Sequence, residues 1–212
     1  MTSAVDAKHV LTAERAALCD TLERLGPDAP TLCEGWTTAD LAAHLVVREQ
    51  KPLAAPGVVL GGPFASYTAS AMEKEKAKGY DALLATLRDG PPGFMKSTMA
   101  ALNVNENWVH HEDARRANGD APRPEDPDTA AVLAGVVRRT AKFGTRRIKP
   151  CGLALELPDE MIIVRAGHPT AVMHGAIGEC VLYLAGRRGA AVVTLEGDPD
   201  AIQTLQTAKL GI

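Results

Sequence analysis

The apolar residues of this chain change their spacing at Lys149-Pro150, and that change limits the folds open to it. Before that point Leu11, Leu18, Leu22 and Leu25 are separated by seven, four and three residues, which places them on one helical face. After it the apolar residues gather into short runs with β-branched side chains: LALEL at 153–157, MIIVR at 161–165 and AVVTLEG at 191–197. Runs of that length and composition are strands rather than helices. The expected architecture is therefore α+β, with a helical bundle over 1–148 followed by a small α+β domain over 149–212.

Local signals set the element boundaries. The leucine stripe predicts a first helix over 8–25, and Pro27, Pro30 and Gly35 break the pattern after it. Thr37 with Asp40 three residues on forms a capping-box start for a second helix over 38–50, and Trp36 and Leu41 occupy the two positions of a hydrophobic staple. The run from Pro52 to Pro63 is dense in proline and glycine and reads as a loop long enough to border a site. Helical composition returns from Ser66 to Asp89 with a break at Gly79, and again after the PPG at 91–93 through Ala117. A further helix is expected from Thr129 to Arg147, with Val132, Leu133, Val136, Val137 and Phe143 on its apolar side. Ile177 to Ala185 fits a helix or a strand, and Asp198-Pro199 opens a last helix running to about Lys209.

Composition narrows the function classes. At 212 residues, 46% of them hydrophobic, the chain can bury a core without disulfides or a structural metal. A formal net charge of −3 gives no bias toward polyanions. Arg138, Arg139, Lys142, Arg146, Arg147 and Lys149 put six positive charges in twelve residues, but no aromatic residue beyond Phe143 interleaves them. That run reads as a solvated helix face, and no nucleic-acid partner is expected. The longest uncharged stretch, Pro52 to Met72, contains three prolines and three glycines, so no membrane span is expected. The start MTSAVDAKHV lacks an apolar signal core, so a cytoplasmic location is expected. Cys19, Cys33, Cys151 and Cys180 form no CxxC pair and read as reduced thiols.

The residues with chemistry lie on the helices. Glu106 and His110 in ENWVH are four apart, so a carboxylate and an imidazole project from one helical face, one turn apart. His44 on the second helix is a third candidate ligand, because facing helices of a bundle can complete one site. Two histidines and a glutamate would leave a coordination position for water or substrate, a set suited to Zn²⁺ and also to Ni²⁺, Fe²⁺ or Mn²⁺. His111 points about 100° around the helix from His110 and belongs to packing or to support of the ligands. Asp40 and Asp113 are each placed to orient an imidazole, with capping the stronger role for Asp40. Cys33 precedes the Glu34-Gly35-Trp36 turn and is a nucleophile only if a base lies within reach; burial as a structural thiol is its ordinary role.

The strings LCEGWTTADLAAHL and ENWVHHEDARRA resemble the paired signatures of the mycothiol-dependent maleylpyruvate isomerase family, within the wider DinB-like superfamily of metal-binding four-helix bundles. The stretch GECVLYLAGRRGAAVVTLEGDPDAIQTL is similar to the sterol-carrier-like α+β domain that follows the bundle in those isomerases. The resemblance implies a DinB-like four-helix bundle in which His44, Glu106 and His110 bind a divalent metal, usually zinc. It implies mycothiol as a thiol cofactor activated at the metal, and a small electrophilic substrate that is isomerised or receives the thiol. An arginine of the C-terminal domain helps bind substrate in the family, and Arg187 in AGR is the nearest match, with Arg188 beside it left open. The partners implied are a low-molecular-weight thiol and a small-molecule substrate; a homodimer is left open. The competing reading is a non-catalytic metal- or ligand-binding protein on the same bundle, with a stress or regulatory role.

Overall fold

The computed structural model describes residues 5–50, 63–91, 99–145, 148 and 151–211. All but Pro63 of the loop expected from Pro52 to Pro63, together with Pro92, Gly93 and the basic residues Arg146, Arg147 and Lys149, lies outside the described residues, as do the side chains of Lys142 and Phe143; Pro63 itself opens a helix. The contacts divide the chain into two compact units, Asp6–Arg123 and Pro124–Ile212, with Val5 assigned to the second.

The first unit contains helices α1 (Ala7–Leu25), α2 (Thr38–Gln50), α3 (Pro63–Lys76), α4 (Tyr80–Asp89) and α5 (Ala100–Ala117). Asp6 caps α1 by accepting from the Lys8 N–H, and Gly26, at φ +78°, takes the left-handed turn that ends it. The capping box of α2 forms as expected: the Thr37 N–H donates to Asp40 Oδ2 at 2.9 Å, and the Asp40 N–H points back at Thr37 Oγ1 at 3.4 Å. Leu18 and Leu22 of α1, Leu41 and Leu45 of α2, and Leu83 and Leu87 of α4 meet in one core that also takes Ala114 of α5. Each such leucine contributes about 1.5–3 kcal/mol by leaving water. The helices of this core form a bundle, and α3 packs against α2 and α4.

The seam between α1 and α5 is built from charge. Glu112 is fully buried and accepts from Arg115, Arg116 and Arg123 at 2.6–2.8 Å. Arg123 also reaches Glu14 of α1 and lies over the Trp108 ring, 4.0 Å from its centroid. His111 bridges Glu14 (Nδ1 to Oε1, 3.0 Å) and Thr21 (Nε2 to Oγ1, 2.8 Å), so it ties α5 to α1. Nearby, Arg15 of α1 holds both carboxylate oxygens of the buried Glu49 of α2 at 2.6 and 2.7 Å. Removing one partner of such a pair leaves a buried charge uncompensated, at a cost of about 3–5 kcal/mol.

The second unit begins with α6 (Pro127–Gly144), capped by Asp126, whose carboxylate accepts from the Asp128 and Thr129 N–H groups. Strands β1 (Gly152–Glu156), β2 (Met161–Arg165), β3 (Thr170–His174) and β4 (Thr194–Gly197) form one sheet in the order β2-β1-β3-β4. β1 pairs antiparallel with β2 and parallel with β3, and β3 pairs antiparallel with β4. Residues 177–184 resolve the open alternative as a helix, α7 (Ile177–Leu184), and α8 (Pro199–Thr207) starts on Pro199. Leu153, Leu155, Met173 and Leu182 are fully buried here.

Two features differ from expectation. β3 has no counterpart in the sequence reading: in TAVMH only Ala171 and Met173 are buried, too few apolar residues to make a run. The helix expected from Thr129 starts two residues earlier, at Pro127, and packs on β2 and α7. Among the described residues no helix is long and apolar enough to cross a membrane.

The α1–α5 seam makes stability depend on pH. Burial pushes the His111 imidazole below its ordinary value of 6.5, outweighing the Glu14 hydrogen bond. Burial also raises the Glu14 carboxyl, but hydrogen bonds from His111 and Arg123 outweigh that and hold it below 4.5. Both groups bind fewer protons folded than unfolded, so their contribution is complete above the unfolded values and is lost as pH falls through the folded ones. Urea midpoints measured by circular dichroism should therefore fall as pH drops below 6.5, and the first part of that fall should be absent in His111→Gln. A wild-type midpoint that stays flat across this range contradicts the assignment.

Candidate metal centre

Helix α2 faces the core with Leu41 and Leu45, and His44 between them turns toward α5. On α5, Glu106 and His110 stand one turn apart on the side that meets α2. The sequence-predicted triad therefore converges: one ligand atom from each of His44, Glu106 and His110 lies within 4.8 Å of the other two. The His44 and His110 rings are 5.0 Å apart between centroids and inclined at 70°, and His110 Nε2 lies 3.9 Å from Glu106 Oε2. Both imidazoles are buried, whereas the Glu106 side chain keeps a quarter of its surface exposed. The carboxylate is thus the open edge of the cluster.

The surrounding residues hold these groups in place. Asp113 is fully buried, and its Oδ2 lies 2.9 Å from His110 Nδ1. A carboxylate at that distance fixes the proton on Nδ1 and leaves the Nε2 lone pair directed at Glu106 and His44. Trp36, expected to staple the helix entry, also packs its ring on His44 at 5.2 Å. Asp40 caps α2 and pairs with Lys76 at 2.6 Å.

Arg48 was not singled out from the sequence. Its Nε lies 3.2 Å from Glu106 Oε2 and its Nη1 donates to Asn103 Oδ1 at 2.6 Å. The signal was available, since Arg48 follows His44 by one turn and Asn103 precedes Glu106 by three residues. Cys33 sits close to the cluster, its Sγ 3.2 Å from Asp113 Oδ2 and 3.9 Å from His110 Nδ1. Arg187 belongs to the second unit, just beyond α7, where its Nη1 donates to the Ala185 carbonyl at 2.6 Å. Arg188 beside it donates to the Ala208 carbonyl and lies over the Tyr183 ring.

Two imidazole nitrogens and a carboxylate oxygen, one imidazole already oriented through its far nitrogen, are a donor set suited to a divalent cation of the zinc type. Fold and donor set together define a class, the α+β proteins in which a helical bundle with candidate metal ligands on facing helices precedes a small sheet domain. The chain belongs to the family described as mycothiol maleylpyruvate isomerase N-terminal domain, whose model matches residues 9–115. Two solved structures are similar over nearly the whole chain. A mutant of mycothiol-dependent maleylpyruvate isomerase has 18% identity and a TM-score of 0.61, covering 91% of this chain and 92% of that one. A second structure of mycothiol-dependent maleylpyruvate isomerase has the same identity and coverage and a TM-score of 0.55. None of the curated proteins matches this sequence.

If Asp113 orients His110, then Asp113→Asn should weaken zinc binding by about 10–100-fold. Competition with a chromophoric chelator reads the constant directly, and an unchanged value would show that His110 needs no such partner.

Proposed function

We propose that this chain is a divalent-metal-dependent, mycothiol-linked enzyme of the isomerase or S-transferase type, acting on a small electrophilic substrate. The observation that carries the proposal is the convergence of His44, Glu106 and His110 within 4.8 Å inside a bundle of this family. A divalent cation held there, Zn²⁺ in the first instance and Ni²⁺, Fe²⁺ or Mn²⁺ as alternatives, supplies charge that keeps a thiol as its nucleophilic thiolate at neutral pH.

The protein's own residues account for the rest. His44 and His110 offer neutral nitrogen donors from a buried wall, and Asp113 holds the proton of His110 on Nδ1, away from the donor set. Glu106 adds the negative charge, and its exposure faces the side from which thiol and substrate would enter. Arg48 balances that charge and holds the carboxylate in place. In the second unit, Arg187 is assigned to substrate binding as the nearest match to the arginine the family uses. Thiolate addition to an electrophilic C=C forms a C–S bond as the π bond opens to an enolate; expelling the thiolate after rotation restores an isomerised double bond, and taking a proton from solvent instead keeps the C–S bond and completes a transfer.

Elemental analysis of wild type, His44→Ala and His110→Ala tests the metal, and calorimetry with mycothiol tests the thiol. About one metal per chain, lost in both variants, with thiol binding only in the metal-loaded form, is the expected result. Metal without thiol affinity supports instead the non-catalytic binding protein, and no metal after incubation with zinc removes the site. Arg187→Gln should keep its metal and raise KM for an accepted electrophile; an unchanged KM removes Arg187 from substrate binding.

A further inference from the structure

His110 offers two ring nitrogens, and a different donor set meets each. Nε2 faces His44 and Glu106. Nδ1 faces Asp113 Oδ2 at 2.9 Å and Cys33 Sγ at 3.9 Å, and those two atoms are 3.2 Å from one another. We propose that Cys33, Asp113 and the Nδ1 of His110 form a second cation site, specific for a thiophilic divalent metal, that shares the His110 ring with the His44, Glu106, His110 set.

The geometry supports this in three ways. Around a tetrahedral zinc-type ion, with bonds of about 2.3 Å to sulfur and about 2.0–2.2 Å to nitrogen and oxygen, ligand atoms stand roughly 3.4–3.6 Å apart. The three observed separations depart from that triangle by about half an ångström or less. The thiol is also placed by backbone rather than by its own side chain alone. The Leu32 N–H donates to the Asp113 carbonyl at 3.1 Å, the Cys33 N–H to Thr31 Oγ1 at 3.2 Å, and the Trp36 N–H to the Cys33 carbonyl at 3.0 Å. The turn that carries Cys33 is thereby tied to the helix that carries Asp113 and His110. Finally, His110 and Asp113 are buried while Cys33 is half-buried, so the fourth position opens on the thiol side.

Thiolate, imidazole and carboxylate together favour Zn²⁺, Co²⁺ or Cd²⁺ over Mg²⁺ or Ca²⁺. Binding releases the Sγ proton to solvent, moves the imidazole proton from Nδ1 to Nε2, and changes Asp113 from hydrogen-bond acceptor to ligand; the ring proton is lost only when Nε2 also takes an ion. When both sets are filled, His110 bridges the two ions as an imidazolate. The proposal does not depend on the enzymatic reading, because it uses neither His44 nor Glu106.

Cobalt is the probe, added under anaerobic conditions without added thiol to wild type, His44→Ala and Cys33→Ser. A near-ultraviolet thiolate-to-cobalt charge-transfer band should appear in wild type and in His44→Ala. It should be lost in Cys33→Ser, which still takes up cobalt at the other set. Cys19, Cys151 and Cys180 are all buried, so a band that survives in Cys33→Ser would mean an opened protein and would overturn the proposal. Absence of the band in wild type overturns it as well. A band present in wild type but missing in folded His44→Ala, with fold checked by circular dichroism, shows the thiol joining the first set rather than forming its own.

Discussion

The bundle depends on helix α5 finding a partner for every charge it buries. Glu112 and Asp113 are fully enclosed and His110 and His111 nearly so, in a helix whose apolar contribution is mainly Val104, Trp108, Val109 and Ala114. Such a helix is held by polar complementarity. Arg115, Arg116 and Arg123 converge on Glu112, and Arg123 and His111 converge on Glu14. Because each of these groups would be costly to leave unmatched in a low dielectric, the network fixes the rotation of α5 about its axis as well as its position.

That rotation is what builds the site. Successive residues of a helix differ by about 100° in direction, so His110 and His111 cannot share a face. With His111 anchored between Glu14 and Thr21 on α1, His110 is turned toward α2 and the Cys33 turn, and Glu106 follows it one turn earlier. The same logic holds on α2. The leucines at 41 and 45 face the core, Glu49 is taken by Arg15, and His44 and Arg48 are left on the side that meets α5. A structural set of charges thus positions a chemical set without sharing residues with it.

This division explains what was legible in the sequence. Leucine spacing revealed α1, the capping box revealed α2, and the four-residue step from Glu106 to His110 revealed two candidate ligands, because each is a local pattern with one physical cause. The ring packing of Trp36 on His44 and the Arg48–Glu106 pair were hidden, since they depend on how two helices cross. β3 was hidden for a different reason: a short strand flanked by paired strands needs few apolar residues, and Ala171 and Met173 suffice once β1 and β4 bind its backbone. The assignment of α6 was equally out of reach, because an amphipathic helix declares that it has a partner face without declaring which partner.

His110 is where the structural and chemical sets come closest. A neutral imidazole has one proton, and whichever nitrogen keeps it cannot coordinate. The fully buried Asp113 draws that proton to Nδ1, which directs coordination to Nε2 and into the group with His44 and Glu106. Yet Asp113 also accepts from Cys33, so the carboxylate that orients His110 belongs to a donor set of its own. Any cation strong enough to displace the Nδ1 proton would turn the orienting group into a ligand. Which of the two donor sets would take a cation therefore turns on the proton of one nitrogen, and on how firmly Asp113 holds it.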